Sequence, residues 1–485
     1  MATADHTGTA AGVPAPAVQI ARQLTDALHD LATLPVPGAR ELIVIRGITP
    51  SGTFTVPVEN VVQQLIPLLV PAEGPPRVFT YADSVMFARG GTGADASLVP
   101  VCTDTDVTKA APGVLANLMI VEQPGKDGVV QFSVPAKVLS VLLNAEPLRQ
   151  ALARVDLYAR RPVFSADFTL LAPGYHPDCR ILVHGTEIDP VTPTLPAGET
   201  VLDRLPPLLR QLLAGFCFKT ASDLTNFVGL MLTGLLANHF LDGSKAVALL
   251  DGNQPGVGKT LACRVFGIVI DGEDPHLIDY TPNDEELRKR ICATLRSGLQ
   301  SVLVFDNAKQ ASGLPISSAV IESNSVARNI TIRLLGTNTN FSRPNDVSWC
   351  ITMNQTQVSP DLMSRGLPIR LAYEGPTGSR TFSGPEPLDF ARQNRLELLA
   401  ELAGFVVRWT QAGRPDGVRP HRCHRWAQLI GGILRANGFP DFLDNYEAAS
   451  GEFNSDLDDL GVLASAALAQ PNGPFVVTTP QETAP

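Results

Sequence analysis

A chain of 485 residues has room for two or three domains, and its 44% hydrophobic content is that of a globular protein. Its longest largely apolar segment, 227–237, is too short to cross a bilayer, so we expect no membrane association. The N-terminus has neither the basic start nor the apolar stretch of a signal peptide. Seven scattered cysteines without a C-x-x-C pair argue against a disulfide framework and a zinc ribbon, and a cytoplasmic location fits this pattern.

The net charge of −10 is concentrated near the end of the sequence. Residues 441–485 carry eight acidic side chains and no lysine or arginine, which leaves a net charge of −2 for the remainder. Acidity argues against a general nucleic-acid binder, but a near-neutral body can still carry a basic channel.

The first part of the sequence predicts a small α+β domain. Residues 1–38 read as a flexible tail with one short helix. Residues 39–160 alternate β-type runs with apolar helical segments at 61–70 and 136–143, and we expect a structural or assembly role because no catalytic motif appears there. Residues 161–202 are rich in proline and read as a covering linker with short strands. The β-type runs are 41–48, 52–58, 76–81, 97–101 and 129–134.

The central motif is the stretch 246–260, AVALLDGNQPGVGKT, which follows a helical region at 203–240. A buried strand, a glycine-rich turn and an apolar helix indicate a P-loop, where backbone N–H groups and the helix N-terminus hold phosphate oxygens. We expect Lys259 to reach the β- and γ-phosphates and the Thr260 hydroxyl to hold Mg²⁺. The strict pattern has glycine where this chain has Asn253, but asparagine tolerates a positive φ, so the turn should survive. The predicted nucleotide-binding residues are Asn253, Gln254, Pro255, Gly256, Val257, Gly258, Lys259, Thr260 and Leu261.

Two later apolar runs end in polar residues suited to a nucleotide site. The run 302–305 ends at Asp306, as in a Walker B strand whose carboxylate lies beside Mg²⁺. The run 347–353 ends at Asn354, which either positions the attacking water, as a sensor-1 residue does, or lies in an ordinary turn. Arg365 is either an arginine finger that reaches a neighbouring subunit's γ-phosphate or a surface arginine that caps a helix.

The segment between the last two strands, SVARNITIRLLGTNTNFSRPNDVSW, reads as a β-hairpin. Its candidate DNA contacts are Arg328, Arg333 and Arg343, and the alternative is an ordinary surface hairpin.

The remainder, 377–470, reads as a helical domain, and 471–485 as a disordered tail. Between 408 and 426, five arginines and two tryptophans form a stretch that either touches phosphates or is a solvated helix–turn face.

The order of these motifs resembles that of AAA+ ATPases. It resembles more closely the helicase modules of phage- and plasmid-type primase–helicase proteins, which are related to superfamily III and minichromosome-maintenance helicases. The resemblance covers residues 160–447, and it is carried by PVFSADFTLLAPGYHPD, GNQPGVGKTLA, YTPNDEELRKRI, VLVFDNAK, RLLGTN, ITMNQTQVSPDLMSRGLPIRL and NRLELLAELAGFVVRW.

This resemblance implies an α/β fold with a three-layer P-loop core at 203–376, an N-terminal α+β domain and a C-terminal helical domain. It implies ATP and Mg²⁺ as ligands, with Thr260 and Asp306 holding the metal. It implies a homo-oligomeric ring, a hexamer, that would act on single-stranded or forked DNA. The catalytic residues that it implies, including the position after the Walker B aspartate, are Lys259, Asp306, Asn307, Asn354 and Arg365.

The chain departs from the family pattern at Asn307, where most AAA+ proteins have a glutamate that serves as general base. Asparagine cannot accept a proton, so either another carboxylate orients the water or hydrolysis is slow. No primase metal-carboxylate cluster appears, so we expect no primase activity.

The sequence therefore predicts an ATP-dependent, ring-forming motor, a DNA helicase or translocase in the replication of a mobile element or phage-like system. One alternative is a AAA+ switch or remodelling ATPase, with a mobile-element or defence role and without unwinding activity. A second alternative is an assembly factor that binds ATP without turnover.

Overall fold

The computed structural model describes fourteen stretches of the chain, and their contacts form two compact units. One unit ends at Val155 and the other begins at Asp156, and each is described by itself. The predicted tails at 1–38 and 471–485 lie outside the described residues. Those residues are 43–46, 58–70, 75–81, 84–89, 97–100, 119–124, 130–133, 141–192, 200–242, 245–297, 300–309, 315–333, 340–376 and 384–453.

The first unit contains two small sheets. Its elements are β1 (Ile43–Arg46), α1 (Val58–Leu69), β2 (Val78–Tyr81), β3 (Ser84–Arg89), β4 (Ser97–Pro100), β5 (Met119–Pro124), β6 (Val130–Ser133), α2 (Glu146–Ala151) and β7 (Ala153–Arg154). One sheet has the order β1-β5-β6 and the other β4-β3-β2-β7. Strands β3 and β5 were not predicted, because neither shows a clear alternation of polar and apolar residues. The predicted strand at 52–58 is wrong at Val58, which begins α1, and its other residues lie outside the described stretches.

The second unit carries the predicted P-loop. Its elements are β8 (Leu157–Ala159), β9 (Gly174–His176), β10 (Ile181–Val183), α3 (Pro207–Leu213), α4 (Ala221–Leu235), a 3-10 turn (Ala237–Phe240), β11 (Val247–Gly252), α5 (Lys259–Asp271), β12 (Leu277–Asp279), α6 (Asp284–Ser297), β13 (Val302–Ala308), α7 (Ala319–Val326), β14 (Asn329–Arg333), β15 (Asn340–Pro344), β16 (Ser348–Met353), α8 (Pro360–Ser364), β17 (Gly366–Leu371), α9 (Pro387–Gln393), α10 (Arg395–Gln411), α11 (His424–Ala436) and α12 (Tyr446–Phe453).

A five-stranded parallel sheet in the order β12-β13-β16-β11-β17 forms the centre of this unit. Both of its faces are covered, so its strands read as almost continuous apolar runs, and β16 and β17 are buried along their whole length. Because all five strands are parallel, the residues that follow their carboxyl ends meet at one edge of the sheet. In open α/β sheets this edge is where ligands bind.

Helix α4 explains the longest apolar segment of the sequence. Every residue from Ser222 to Leu235 is buried, so the helix lies inside the core, and this explains why the sequence from Phe227 to Leu235 is almost entirely apolar. Among the described residues, no helix is both long and apolar enough to cross a membrane.

The proline-rich segment is packed more closely than a covering linker would be. Its residues contribute to the small sheet β8-β10-β9, and Val163 and Phe164 are buried. The Val191 N–H donates to the Ala400 carbonyl in α10 at 3.0 Å, so residues 161–192 are part of the second unit.

The predicted β-hairpin is formed by β14 and β15, which pair antiparallel from Asn329↔Pro344 to Arg333↔Asn340. Its predicted turn, apart from Asn340, lies outside the described residues. The base of the hairpin is fixed by Asn345, whose side-chain amide donates to three carbonyls at the end of α7, at 2.8 to 3.1 Å. The Asn345 side-chain oxygen also accepts from the indole of Trp349 at 3.2 Å.

Candidate nucleotide site

The predicted P-loop connects the end of β11 to the start of α5. Gly256 and Gly258 have φ values of 82° and 103°, which glycine adopts without strain. Gly252 is needed for a different reason, since a Cβ there would lie 2.6 Å from Cγ2 of Val257 and 2.7 Å from Nζ of Lys259. Gly258 is the N-cap of α5 and provides no side-chain cap, so the first N–H groups of this thirteen-residue helix are left for a ligand.

Asn253 has a role that the sequence did not predict. Its φ is not positive, so the left-handed turn that we expected there is carried by Gly256 and Gly258 instead. The Asn253 side chain donates to the Tyr373 carbonyl at 3.0 Å and accepts from the Tyr373 N–H at 3.2 Å. Asn253 therefore connects the loop to the segment that follows β17.

The other loop residues occupy the positions expected of a phosphate-binding turn. Gln254 donates to the carbonyls of Tyr373 and Gly375 at 2.8 and 2.9 Å, and Pro255 is exposed. Val257 is buried and Leu261 packs partly buried against the core, so these two anchor the loop.

Lys259 extends across the loop to the neighbouring strand. Its ammonium donates to the side-chain oxygen of Asn354 at 2.7 Å, and it lies 3.4 Å from the Gln254 carbonyl. Burial lowers the pKa of Lys259, while the nearby charges of Asp251 and Asp306 act to raise it. A desolvated cation at this place attracts phosphate oxygens strongly, because little water screens it.

Thr260 and Asp306 form an oxygen-only pair suited to Mg²⁺. The Thr260 hydroxyl donates to Oδ1 of Asp306 at 2.6 Å, and the Thr352 hydroxyl donates to the same oxygen at 2.8 Å. A hydroxyl and a carboxylate are ligands that Mg²⁺ prefers, and a second hydroxyl that orients the carboxylate is typical of metal sites. The donor set therefore fits the metal that the sequence predicts, with Thr352 as a further member that sequence reasoning missed.

Asn307 lies at a bulge in β13, after Asp306. Its φ is 50°, a left-handed conformation that asparagine adopts more readily than glutamate. Its backbone N–H donates to the Thr352 hydroxyl at 2.8 Å, and the residue is exposed. The left-handed conformation at the bulge therefore favours asparagine at position 307 over the glutamate of the AAA+ pattern.

Asn354 follows β16 and is held in place by its neighbours. Gln355, with a φ of 47°, donates its N–H to Oδ1 of Asp251 at 2.7 Å, and the Thr356 hydroxyl donates to the Asn354 carbonyl at 3.0 Å. Asp251 at the end of β11 therefore fixes the turn that presents Asn354 to Lys259. In the sequence, the signal that could have indicated this role of Asp251 was the short run of polar residues in the turn after β16.

The structure does not bring Arg365 to this site. Arg365 precedes β17, and its carbonyl accepts from the N–H of Val247 at the start of β11, so it lies at the edge of the sheet opposite the P-loop. Its side chain is buried and held by its own chain, with Nη2 2.9 Å from Oδ2 of Asp361 and Nη1 donating to the Glu322 carbonyl at 2.5 Å.

The three hairpin arginines have different surroundings. Arg328 is exposed where the chain enters β14. Arg343 is buried, and it donates through Nε and Nη2 to both carboxylate oxygens of Asp346 at 3.0 Å, so its expected contact with DNA conflicts with its position. Arg333 ends β14, and its side chain lies outside what the structure describes.

Comparison with known proteins gives distant similarities only. No protein-family model and no curated protein matches the chain. Among solved structures, the apo C-terminal region of NrS-1 is 12% identical, with 64% of this chain and 68% of that chain covered and a TM-score of 0.34.

Two further solved structures are named helicases. The active helicase Cch of SCCmec type IV is 12% identical, with 80% of this chain and 76% of that chain covered and a TM-score of 0.35. JCV helicase is 14% identical, with coverages of 53% and 72% and a TM-score of 0.22.

Proposed function

We propose that this chain is an ATP-hydrolysing motor of the helicase type, which assembles as a ring and moves on DNA. The observation that supports the proposal best is the convergence of four side chains at one edge of the parallel sheet. Lys259 and Thr260 come from the start of α5, while Asp306 and Asn354 come from the ends of two strands, yet hydrogen bonds at 2.6 and 2.7 Å join the four in two pairs.

In this proposal the loop and the start of α5 bind the phosphates of ATP. The backbone N–H groups after Gly258 and the ammonium of Lys259 neutralise charge that develops as the γ-phosphoryl group is transferred. Thr260 and Asp306 would hold Mg²⁺, which when bound withdraws charge from the β- and γ-phosphate oxygens. Thr352 holds the Asp306 carboxylate at a fixed orientation through its hydrogen bond.

Asn354 is placed to orient the attacking water. Its side-chain oxygen already accepts from Lys259, so its amide nitrogen is directed by that bond. Because Lys259 must also contact the γ-phosphate, Asn354 senses whether that phosphate is present. In the ring, Arg365 would complete the site of a neighbouring subunit, and this requires its guanidinium to leave Asp361.

DNA would contact the hairpin β14–β15. Arg328 is the exposed hairpin arginine among those whose side chains the structure describes, so it is the residue that we propose for phosphate contact. Arg343 supports the same contact indirectly, because its ion pair with Asp346 holds the base of the hairpin.

A steady-state ATPase assay with and without single-stranded DNA tests the proposal. We expect turnover that DNA stimulates, and we expect Lys259→Ala to lower it by about a hundredfold or more, since a charge contact to the transferred group is lost. Unchanged turnover in Lys259→Ala would contradict the assignment of this site.

A switch or remodelling ATPase without unwinding activity is the second candidate. The burial of Arg343 favours it, because one of three predicted DNA contacts is then lost from the hairpin surface. Strand displacement on forked DNA separates the two candidates: ATP turnover without displacement supports the switch, and displacement that needs Lys259 supports the helicase.

A further inference from the structure

One chemical role at the nucleotide site has no residue assigned to it, namely acceptance of the proton from the attacking water. Asn307 stands where a glutamate is usual, and an amide cannot accept this proton. Asn307 lies in the bulge of β13 with a φ of 50°, which asparagine adopts more readily than glutamate. An asparagine at this position is therefore consistent with the local backbone. A base must therefore come from another strand or helix at the same edge.

Three of the described carboxylates near the nucleotide site already have other partners. Asp251 accepts from the N–H of Gln355 at 2.7 Å, which fixes the turn after β16. Glu286 on α6 lies 3.4 Å from Arg290 and 3.8 Å from Lys289, so it is engaged along its own helix. Asp306 accepts from two hydroxyl groups and is needed for the metal.

Asp279 differs from these carboxylates in its register with the metal site. It is the last residue of β12, and it pairs directly with Asp306 of β13 in the parallel ladder. Paired residues of adjacent strands lie about 4.8 Å apart, and their side chains point to the same face of the sheet. Asp279 is therefore paired with Asp306 on the face of the sheet that carries Thr260.

The surroundings of Asp279 leave its carboxylate open to water. The side chain is 95% exposed, and its nearest cation is Nη1 of Arg290 at 3.9 Å, the limit of an ion pair. Arg290 donates instead to the Asp279 backbone carbonyl at 2.8 Å, which holds the end of β12 without occupying the carboxylate. Among the described residues, β12 is the edge strand of this sheet.

We propose that Asp279 is the general base for the ATP hydrolysis proposed above, on which this inference rests. Its carboxylate accepts a proton from water while the water oxygen bonds to the γ-phosphorus. The bond from that phosphorus to the bridging oxygen breaks, and ADP leaves with the electron pair. The proton then passes to solvent, so that ATP and water give ADP, phosphate and one proton.

The test compares Asp279→Asn with a matched control on the same surface. Asp279→Asn keeps the shape of the side chain, so we expect kcat to fall about a hundredfold or more while the affinity for ATP changes less than about threefold. Affinity is measured with a fluorescent ATP analogue, and nucleotide extracted from the variant should remain ATP. The control is Glu285→Gln, whose carboxylate is 75% exposed and pairs with Lys289 outside the register of Asp306; it should retain wild-type turnover.

A rescue separates a base from a merely structural residue. The double variant that combines Asp279→Asn with Asn307→Glu has a new carboxylate at the position after Asp306. Its kcat should be at least about tenfold higher than that of Asp279→Asn alone. Turnover of Asp279→Asn within about threefold of wild type, or equal loss of ATP binding and turnover, would overturn the role of Asp279. A wild type without ATP turnover would instead overturn the proposed function itself, and the two failures are thus distinct.

Discussion

The ammonium of Lys259 donates a hydrogen bond to the side-chain oxygen of Asn354 across 2.7 Å, joining the first turn of α5 to the end of β16. The γ-phosphate of ATP would compete with Asn354 for the same cation. In the proposed function, the strength of this bond would therefore control how readily the site accepts a nucleotide with a third phosphate.

Asn354→Asp should convert that hydrogen bond into an ion pair and place a negative charge beside the γ-phosphate. We expect the affinity for ATP to fall about tenfold or more, with a smaller loss for ADP, because only ATP carries the phosphate that meets the new charge. Isothermal titration with both nucleotides measures the difference. Asn354→Ala, which adds no charge, should weaken both nucleotides similarly, and equal losses in Asn354→Asp would contradict the proximity of the γ-phosphate.

Thr352→Val should weaken the binding of Mg²⁺ without removing the proposed metal ligands themselves. The Thr352 hydroxyl donates to Asp306 at 2.8 Å and accepts from the Asn307 N–H, and it is buried. Loss of an orienting partner should raise the Mg²⁺ concentration for half-maximal turnover by about tenfold. It should also lower the free energy of unfolding by about 1 kcal/mol, because the hydrogen bonds of the buried Thr352 hydroxyl to Asp306 and to the Asn307 N–H are lost. Thr352→Ser, which retains the hydroxyl, is the control.

Arg343→Met should destabilise the protein rather than change its DNA contacts directly. It leaves the buried Asp346 carboxylate without its two hydrogen bonds from Arg343, with Lys245 as a remaining nearby charge, which should cost about 3 kcal/mol of unfolding free energy in urea. Adding Asp346→Leu should recover much of this loss, since both charges are then removed. A wild-type midpoint for Arg343→Met would contradict the buried pair.

Arg328→Ala tests DNA contact on the same hairpin without this effect on stability. Because the residue is exposed, we expect the free energy of unfolding to change by less than about 0.5 kcal/mol. Single-stranded DNA should bind more weakly. The slope of log affinity against log salt concentration should become less steep by about one, which corresponds to the loss of one phosphate contact. An unchanged slope would place the DNA elsewhere on the molecule.

A trans role for Arg365 is tested by mixing inactive variants. Arg365→Ala and Lys259→Ala should each be inactive alone. In rings formed from equal amounts of both, about one quarter of the interfaces combine an intact Lys259 of one subunit with an intact Arg365 of the next, so part of the activity should return. Arg422→Ala is the matched comparison, since Arg422 shares the Asp361 carboxylate with Arg365 but its side chain is 51% exposed. Complementation of Lys259→Ala by Arg422→Ala alone would move the trans role to Arg422.

His421 should make the second unit sensitive to acid. Its Nδ1 accepts from the Cys423 N–H at 3.0 Å and its Nε2 donates to the Gly366 carbonyl at 3.1 Å, so the ring is held neutral. Burial lowers the pKa of His421 to about 4, below the ordinary value near 6.5. The unfolded chain therefore binds this proton first, and stability is lost as pH falls from about 6.5 to 4, by about 3 kcal/mol in total. His421→Gln should flatten unfolding free energy against pH in this window, and an unaltered slope would contradict the assignment.

The sequence alone determined the elements whose signals are local. The P-loop was predictable because a strand, a set of glycines and a helix follow one another within a few turns of chain. Strands β13 and β16 were predictable because strands buried on both faces are continuous apolar runs. The start of α6 was predictable as well, since the Asn283 side chain accepts from the N–H of Glu286 at 3.1 Å, as a capping residue does.

Only the tertiary structure decided which of these residues meet and which are hidden. Thr352 and Asp279 join the site of Asp306 through the order and register of the strands, which no local pattern specifies. Arg343 and Arg365 looked like free cations in the sequence, yet both are buried, because burial depends on what other parts of the chain bring to them. The sequence does not distinguish an exposed arginine or aspartate from a buried one. The two differ in chemistry because a buried charge has lost the water around it and depends on a partner within the protein.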